Sequence, residues 1–266
     1  MMLRLGIIDV LNVLPVYWAI LEGQVSVPAQ LIKGRVTELN EKLNQGDLDL
    51  SVISSFEYAK NPHKYYILPD LSVSAAGPVK SIYLFSEVAL DDLQGQKIEL
   101  TAFSLTSVHL VQFLLQDLNV EFVKGQGSGA RATLLIADEA IQRYYKKSDP
   151  YVYDLGALWF QKTGLPFVFA LWAVRREVWE SNPREVQEIH KALVESKALV
   201  GDQIEKMAKK HYQGVFPDAK SCEDYLANLH YELTEPYIQG FELFQEKMVT
   251  LGKLDSVSAI NFTKSL

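Results

Sequence analysis

The sequence predicts an α/β protein built as two lobes with a ligand cleft between them. Three observations carry this. Strand-like and helix-like segments alternate along most of the chain, as in α/β units with largely parallel pairing. The block 89–177 reads as a complete βαβαβ unit by itself, with a first block before it and a helical tail after it. The length, 266 residues, suffices for two lobes sharing a core, and 48% hydrophobic against 22% charged residues are ordinary globular values. A chain that leaves one lobe, builds a second and returns puts lobe 1 at 1–88 and 178–266 and lobe 2 at 89–177. The crossing segments are then Leu84–Leu90 and Leu171–Val178.

Each element has a local reason. Leu3–Asp9 is an apolar run that reads as the first strand. Pro15 fits the first turn of a helix continuing through Ala19 and Leu21, because its missing N–H has no partner there anyway. Val36, Leu39 and Leu43 recur at helical spacing, and Gly46 supplies the stop. Leu48–Ser54 is a strand, followed by a short helix capped by Ser54 or Ser55 and ended by Pro62. From Leu71 to Ser86 two β-segments bend at Gly77-Pro78. Residues 96–101 form a strand, and Thr106 or Ser107 caps the next helix, whose apolar face carries Leu110, Val111, Leu114, Leu115 and Leu118. Leu134 and Ile136 mark a buried strand, with Asp138 capping the helix after it. Pro166–Val174 is a fully apolar strand, and from Pro183 the chain reads as helical to its end, broken near Gly214–Pro217 and Gly252.

Composition removes several classes of function. A formal charge of −7 argues against a general nucleic-acid binder, which needs a basic face. The single Cys222 allows no internal disulfide and no thiolate cluster. The first twenty residues carry one basic residue and then an apolar run interrupted by Asp9, Asn12 and Pro15, with no small-residue cleavage site, so they read as strand and loop rather than a signal peptide. The longest apolar run, Gly164–Val174, is too short to span a membrane. A cytoplasmic protein with no membrane partner is expected.

Candidate chemistry sits at the strand ends. Asn12 follows the first strand, Ser54 and Ser55 the third, Ser81 the Gly-Pro bend, Ser104, Thr106 and Ser107 the strand ending at Thr101, and Asp138 the LLIA strand. In a doubly wound lobe these positions share one edge. The hydroxyl residues also lie at helix starts, where unpaired N–H groups and the dipole favour an anion. Each one alone is an ordinary cap; converging on one cleft, they make an anion site. Familiar catalytic patterns are weak. Gly125–Ala130 carries glycines at the wrong spacing for a dinucleotide loop, and no nucleophile elbow or phosphate loop is present. His63, His109, His190, His211 and His230 are scattered without ligand spacing; the last three read as surface residues. Asp138 and Glu139 are adjacent and so point apart on a helix. Trp159, Phe160, Phe167, Phe169 and Trp172 read as core, with room for one of them to wall a ring-binding pocket.

Taken together the strings resemble the chorismate dehydratase family of the futalosine route to menaquinone. The matching pieces are Leu11–Pro15, VISSFEYA (Val52–Ala59), GPVKSIYLFS (Gly77–Ser86), Leu105–Leu110, LLIADEA (Leu134–Ala140), Asp154–Trp159, TGLPFVFALWAVRR (Thr163–Arg176) and the tail YLANLHYELTEPYIQGFELF. They run over nearly the whole chain in the right order. The chain departs from the family at Val10, where tyrosine is usual, and at Ala137, where glycine is commoner. The resemblance implies a periplasmic-binding-protein-like type II fold used as an enzyme, a lyase that removes water from chorismate to give 3-[(1-carboxyvinyl)oxy]benzoate, with no cofactor and no metal. For that reaction Asn12 and Ser81 are the expected catalytic contacts, and Ser54, Ser55, Gly77, Thr106, Ser107 and Asp138 the expected substrate contacts. The partner is the small dianion chorismate, and the protein a monomer or homodimer. Two alternatives stay open: a cytoplasmic binding protein for a small carboxylate, and the sister enzyme 1,4-dihydroxy-6-naphthoate synthase.

Overall fold

A computed structural model describes residues 2–8, 10–125 and 129–264. The expected strand end at Asp9 and part of the Gly125–Ala130 loop lie outside the described residues.

The first sheet is built from β1 (Leu3–Ile8), β2 (Ala29–Gly34), β3 (Leu50–Ser54), β4 (Tyr65–Ala75) and, much later, β10 (Phe167–Arg175). The second is built from β5 (Ile82–Ser86), β6 (Lys97–Leu100), β7 (Glu121–Lys124), β8 (Ala132–Ile136) and β9 (Tyr151–Asp154). Their spatial orders are β2-β1-β3-β10-β4 and β7-β6-β8-β5-β9. In each sheet three strands pair in parallel, and a fourth runs antiparallel between the third and the edge: β10 in one, β5 in the other.

This pairing corrects the expected lobe boundaries. β5 belongs to the second sheet and β10 to the first, so the crossings lie at 76–81 and 164–166 rather than at Leu84–Leu90 and Leu171–Val178. Both strands are apolar runs, and an apolar run does not state which sheet it joins.

The helices are α1 (Leu14–Leu21), α2 (Val36–Gln45), α3 (Ser55–Lys60), α4 (Leu105–Leu114), α5 (Ala137–Lys146), α6 (Leu155–Thr163), α7 (Arg176–Ser181), α8 (Pro183–Ala198), α9 (Ile204–His211), α10 (Ala219–Leu226) and α11 (Glu235–Thr250). α1 begins with Pro15 in its first turn, and Gly46 ends α2 in the left-handed conformation, φ 88°. Two caps differ from expectation. Ser104, not Thr106 or Ser107, caps α4 by accepting the Ser107 N–H at 3.2 Å. Ile136 stands at the cap position of α5 and lends no side chain, while Asp138 lies inside the first turn. Ser54, one of the two expected residues, caps α3.

Beyond α11 the described chain is turns and irregular structure rather than helix, and Phe262 bridges Ile67 at the edge of the first sheet. Trp159, Phe167 and Trp172 are fully buried, whereas Phe160 is 41% exposed, because it lies on the outer side of α6. His190 is half-buried rather than a surface residue, its Nε2 lying 2.8 Å from the Pro69 carbonyl. Cys222 is buried, and burial pushes its thiol up to about 12, so it has no thiolate chemistry at neutral pH. No helix among the described residues is long and apolar enough to cross a membrane.

Candidate functional site

A cavity of about 180 Å³ lies between the two sheets, at the C-terminal ends of their parallel strands. The first lobe supplies Val10, Asn12 and Val13 after β1, Val36, Thr37 and Asn40 on α2, Val52–Ser54 at the end of β3, and Phe169–Ala170 on β10. The second supplies Ser81–Ile82, residues 102–107 and Ile136–Ala137. Among the described residues none that lines this cavity carries a charge. Polarity comes from hydroxyls and two amides.

The hydroxyls are held with their acceptor sides occupied. Thr106, 2% exposed, accepts the Phe56 N–H at 3.1 Å and lies 3.5 Å from the Ser55 hydroxyl. Ser107, 1% exposed, accepts the Ser104 O–H at 3.0 Å. A hydroxyl that has received a bond keeps its own proton to give, so Ser107 presents a donor beside the N-terminus of α4, and Thr106 a second one when Ser55 is the donor of their pair. That is the chemistry of a carboxylate cradle made without lysine or arginine. The Thr106–Phe56 bond also ties α4 of one lobe to α3 of the other.

The amides are in the opposite condition. The Oδ1 atoms of Asn12 and Asn40 are buried without a hydrogen-bond partner. A buried polar oxygen left unmatched costs about 1–3 kcal/mol, and each of these two can take a bond from water or from a ligand. Rotation about the terminal bond presents either the oxygen or the NH₂, so each amide can meet a hydroxyl or a carboxylate.

Of the sequence candidates, Asn12, Ser54, Ser81, Thr106 and Ser107 line the cavity. Ser55 stands one layer behind, in reach of Thr106. Gly77 does not line the cavity; it lies in the first crossing with φ 118°, and its role is to let the chain turn there. Asp138 lines a neighbouring pocket with Lys33 and His211, which shares Ile8 and Val10 with the cleft. Successive helical residues point about 100° apart, so Ala137 facing the cleft turns Asp138 aside. Asn40 and Thr37 were missed. Their signal was weak: polar positions flanking the Val36–Leu39–Leu43 stripe, which mark an outward face as readily as a ligand face. Of the aromatic candidates Phe169 lines the cleft, opposite Phe103, which sequence reading did not single out. His109 does not line it; the ring packs on Phe56 at 3.9 Å between centroids, and burial holds it below its ordinary value.

The second-lobe edge of the cleft is strained. Ala137 has φ 52°, a region that costs a residue with a Cβ about 1–2 kcal/mol, and its N–H donates to the Ser81 carbonyl at 2.8 Å. Ala137→Gly is expected to raise stability by about 1 kcal/mol, or about 2–4 °C in Tm. A thermal melt that moves down instead would show that the alanine methyl packs usefully.

The model of the menaquinone biosynthesis family matches residues 3–249. The chain belongs to that family. A chorismate dehydratase of Thermus thermophilus is 35% identical over 236 residues, covering 79% of this chain and 83% of the relative. A 1,4-dihydroxy-6-naphthoate synthase of the same organism is 27% identical over 194 residues, covering 70% of this chain and 71% of its own. Among solved structures, a Candida albicans protein described as having the generic periplasmic-binding-protein fold superposes with a TM-score of 0.69 at 11% identity, covering 100% of this chain and 98% of that one. Two lobes joined by two crossings, with the cleft between them, are thus the architecture in which this member of the menaquinone family places its polar strand ends.

Proposed function

We propose that this protein is a chorismate dehydratase, a carbon–oxygen lyase of the cytoplasm that removes water from chorismate to give 3-[(1-carboxyvinyl)oxy]benzoate. The observation that carries the reading is the likeness to the Thermus chorismate dehydratase over most of both chains. The cleft is consistent with it: uncharged among its described lining residues, rich in hydroxyl donors, and holding two incomplete amides.

Chorismate is a dianion with a hydroxyl beside the ether-bearing ring carbon. The reaction breaks the carbon–oxygen bond to that hydroxyl and the carbon–hydrogen bond on the neighbouring ring carbon, and the electron pair of the latter completes the aromatic ring. Aromatisation supplies the driving force, so the protein contributes mainly position and modest proton transfer. No carboxylate or histidine stands among the described residues lining the cavity. The proton is therefore taken by the side-chain carboxylate of the substrate itself and passed to the departing hydroxyl, which leaves as water. Asn12 holds that carboxylate or the leaving hydroxyl through its amide, and Ser81 is a second hydrogen-bond partner. Thr106 and Ser107 receive a carboxylate at the start of α4, and Ser54 completes the first-lobe wall.

The test is direct. The protein is incubated with chorismate and the aromatic product is followed by absorbance. Turnover supports the dehydratase; binding without conversion supports a carboxylate-binding module; neither result turns attention to the sister synthase reaction.

A further inference from the structure

Asp154 ends β9 and caps α6, accepting the Ala157 N–H at 3.0 Å through Oδ1. A helix cap needs no more than that. Yet the same carboxylate reaches across to the first crossing, where Oδ1 accepts the Val79 N–H at 2.9 Å and Oδ2 the Lys80 N–H at 2.7 Å. Lys80 is held at φ 59°, a conformation that a residue with a Cβ avoids, and the next residue is Ser81, which lines the cleft. The start of α6 lies flush on this segment: a Cβ on Gly156 would stand 2.5 Å from the Gly77 carbonyl.

We propose that Asp154 is a positioning residue for Ser81, fixing the strained first crossing through the Val79 and Lys80 amides and so setting where the Ser81 hydroxyl meets the substrate. The proposal rests on the dehydratase reading for its substrate, but its geometry stands apart from it. Ser81 is otherwise tied at its carbonyl, which accepts the Ala137 N–H, and at its hydroxyl, which reaches back to the Val79 carbonyl at 3.5 Å. On the N-terminal side Asn228 holds the Pro78 carbonyl at 2.7 Å, and Asp154 holds the two amides that directly precede Ser81.

Two variants separate the cap from the crossing. Asp154→Ser keeps a good helix cap, since serine and aspartate cap about equally well, but it is too short to reach Val79 and Lys80. Asp154→Asn keeps the shape and turns a donor toward the Lys80 N–H. Both are expected to stay folded at the assay temperature, with Tm lowered by up to roughly 12 °C because amides of the crossing lose their acceptor, while kcat for chorismate falls about tenfold or more and KM changes less than about threefold. In a Ser81→Ala background the same changes are expected to lower kcat by less than about twofold, because the residue being positioned is gone. Amide exchange at Val79 and Lys80, read by mass spectrometry on the unliganded variants, is expected to quicken and to spread to Ser81 and Ile82. Equal losses of kcat in both backgrounds overturn the proposal, as does unchanged exchange across residues 79–82. Absence of turnover by wild-type protein refutes the dehydratase reading alone; the exchange measurement then decides the positioning, quickened exchange upholding it.

Discussion

Asn12→Ala is expected to lower kcat for chorismate about 10²–10³-fold while leaving the thermal melt in place, the scale seen when one oriented hydrogen-bonding group is removed from a closed site. Asn12 sits in the single turn Leu11–Val13 between β1 and α1, where its side chain lines the cleft and its Oδ1 has no partner. Truncation breaks no bond from the protein to that oxygen, so the fold should hold. Asn12→Asp offers the sharper contrast. It preserves size but sets a negative charge against a dianion in a cleft whose described lining holds no cation, so binding should weaken as well as turnover. Steady-state kinetics by product absorbance beside a melting curve give both numbers. Near-normal dehydration by Asn12→Ala would remove this residue from the reaction.

Gly240→Ala is expected to cost the fold about 3 kcal/mol, lowering Tm by roughly 6–12 °C, although alanine is intrinsically the better helix former by about 0.5–1 kcal/mol. Gly240 lies in the middle of α11, where a Cβ would stand 2.0 Å from the Pro166 carbonyl oxygen. That oxygen also accepts the Trp159 indole N–H at 3.3 Å, and Pro166 lies in the second crossing directly before β10. The obstacle is backbone, so no side chain can swing away. Either α11 lifts from the sheet or the crossing shifts, and both disturb the packing of Phe244 against Phe167 and Trp159. Calorimetry or circular dichroism reads the outcome; a Tm at or above that of the parent would show that the helix glides freely over Pro166.

Local elements were legible because local chemistry makes them. Pro15 at the start of α1, Gly46 at the end of α2 and Ser54 before α3 act within one turn of where they stand. The lobe boundaries were not, because β5 and β10 are apolar strands whose partners lie far along the chain. β10 pairs with β3 and β4 across roughly a hundred residues, and nothing in Phe167–Arg175 names them. The cap of α4 was misplaced for a different reason. Ser104, Thr106 and Ser107 are all competent caps, and only the extended backbone of Ser104, φ −150°, ψ 110°, decides among them. The site was half legible. Hydroxyls at strand ends announced themselves, as did Asn12 after the first strand. Asn40 could not be found, because whether the polar flank of α2 meets solvent or cleft depends on the opposing lobe. Asp138 was drawn in as the polar residue after the LLIA strand and Gly77 as part of the bend before Ser81, yet lying near a strand end does not by itself place a residue in the cavity.

The order in which strands emerge from the ribosome follows from the two crossings. Residues 82–154 carry every strand of the second sheet without interruption, so that sheet is complete in the nascent chain while the first is still unfinished. β3 and β4 are neighbours only through β10, so the half that is begun first waits as two separate pieces until residues 167–175 arrive to be threaded between them. The lobe that supplies Asn12 is thus the last to close, and the residue on which turnover is expected to depend most acquires its final surroundings only when synthesis has passed the middle of the chain.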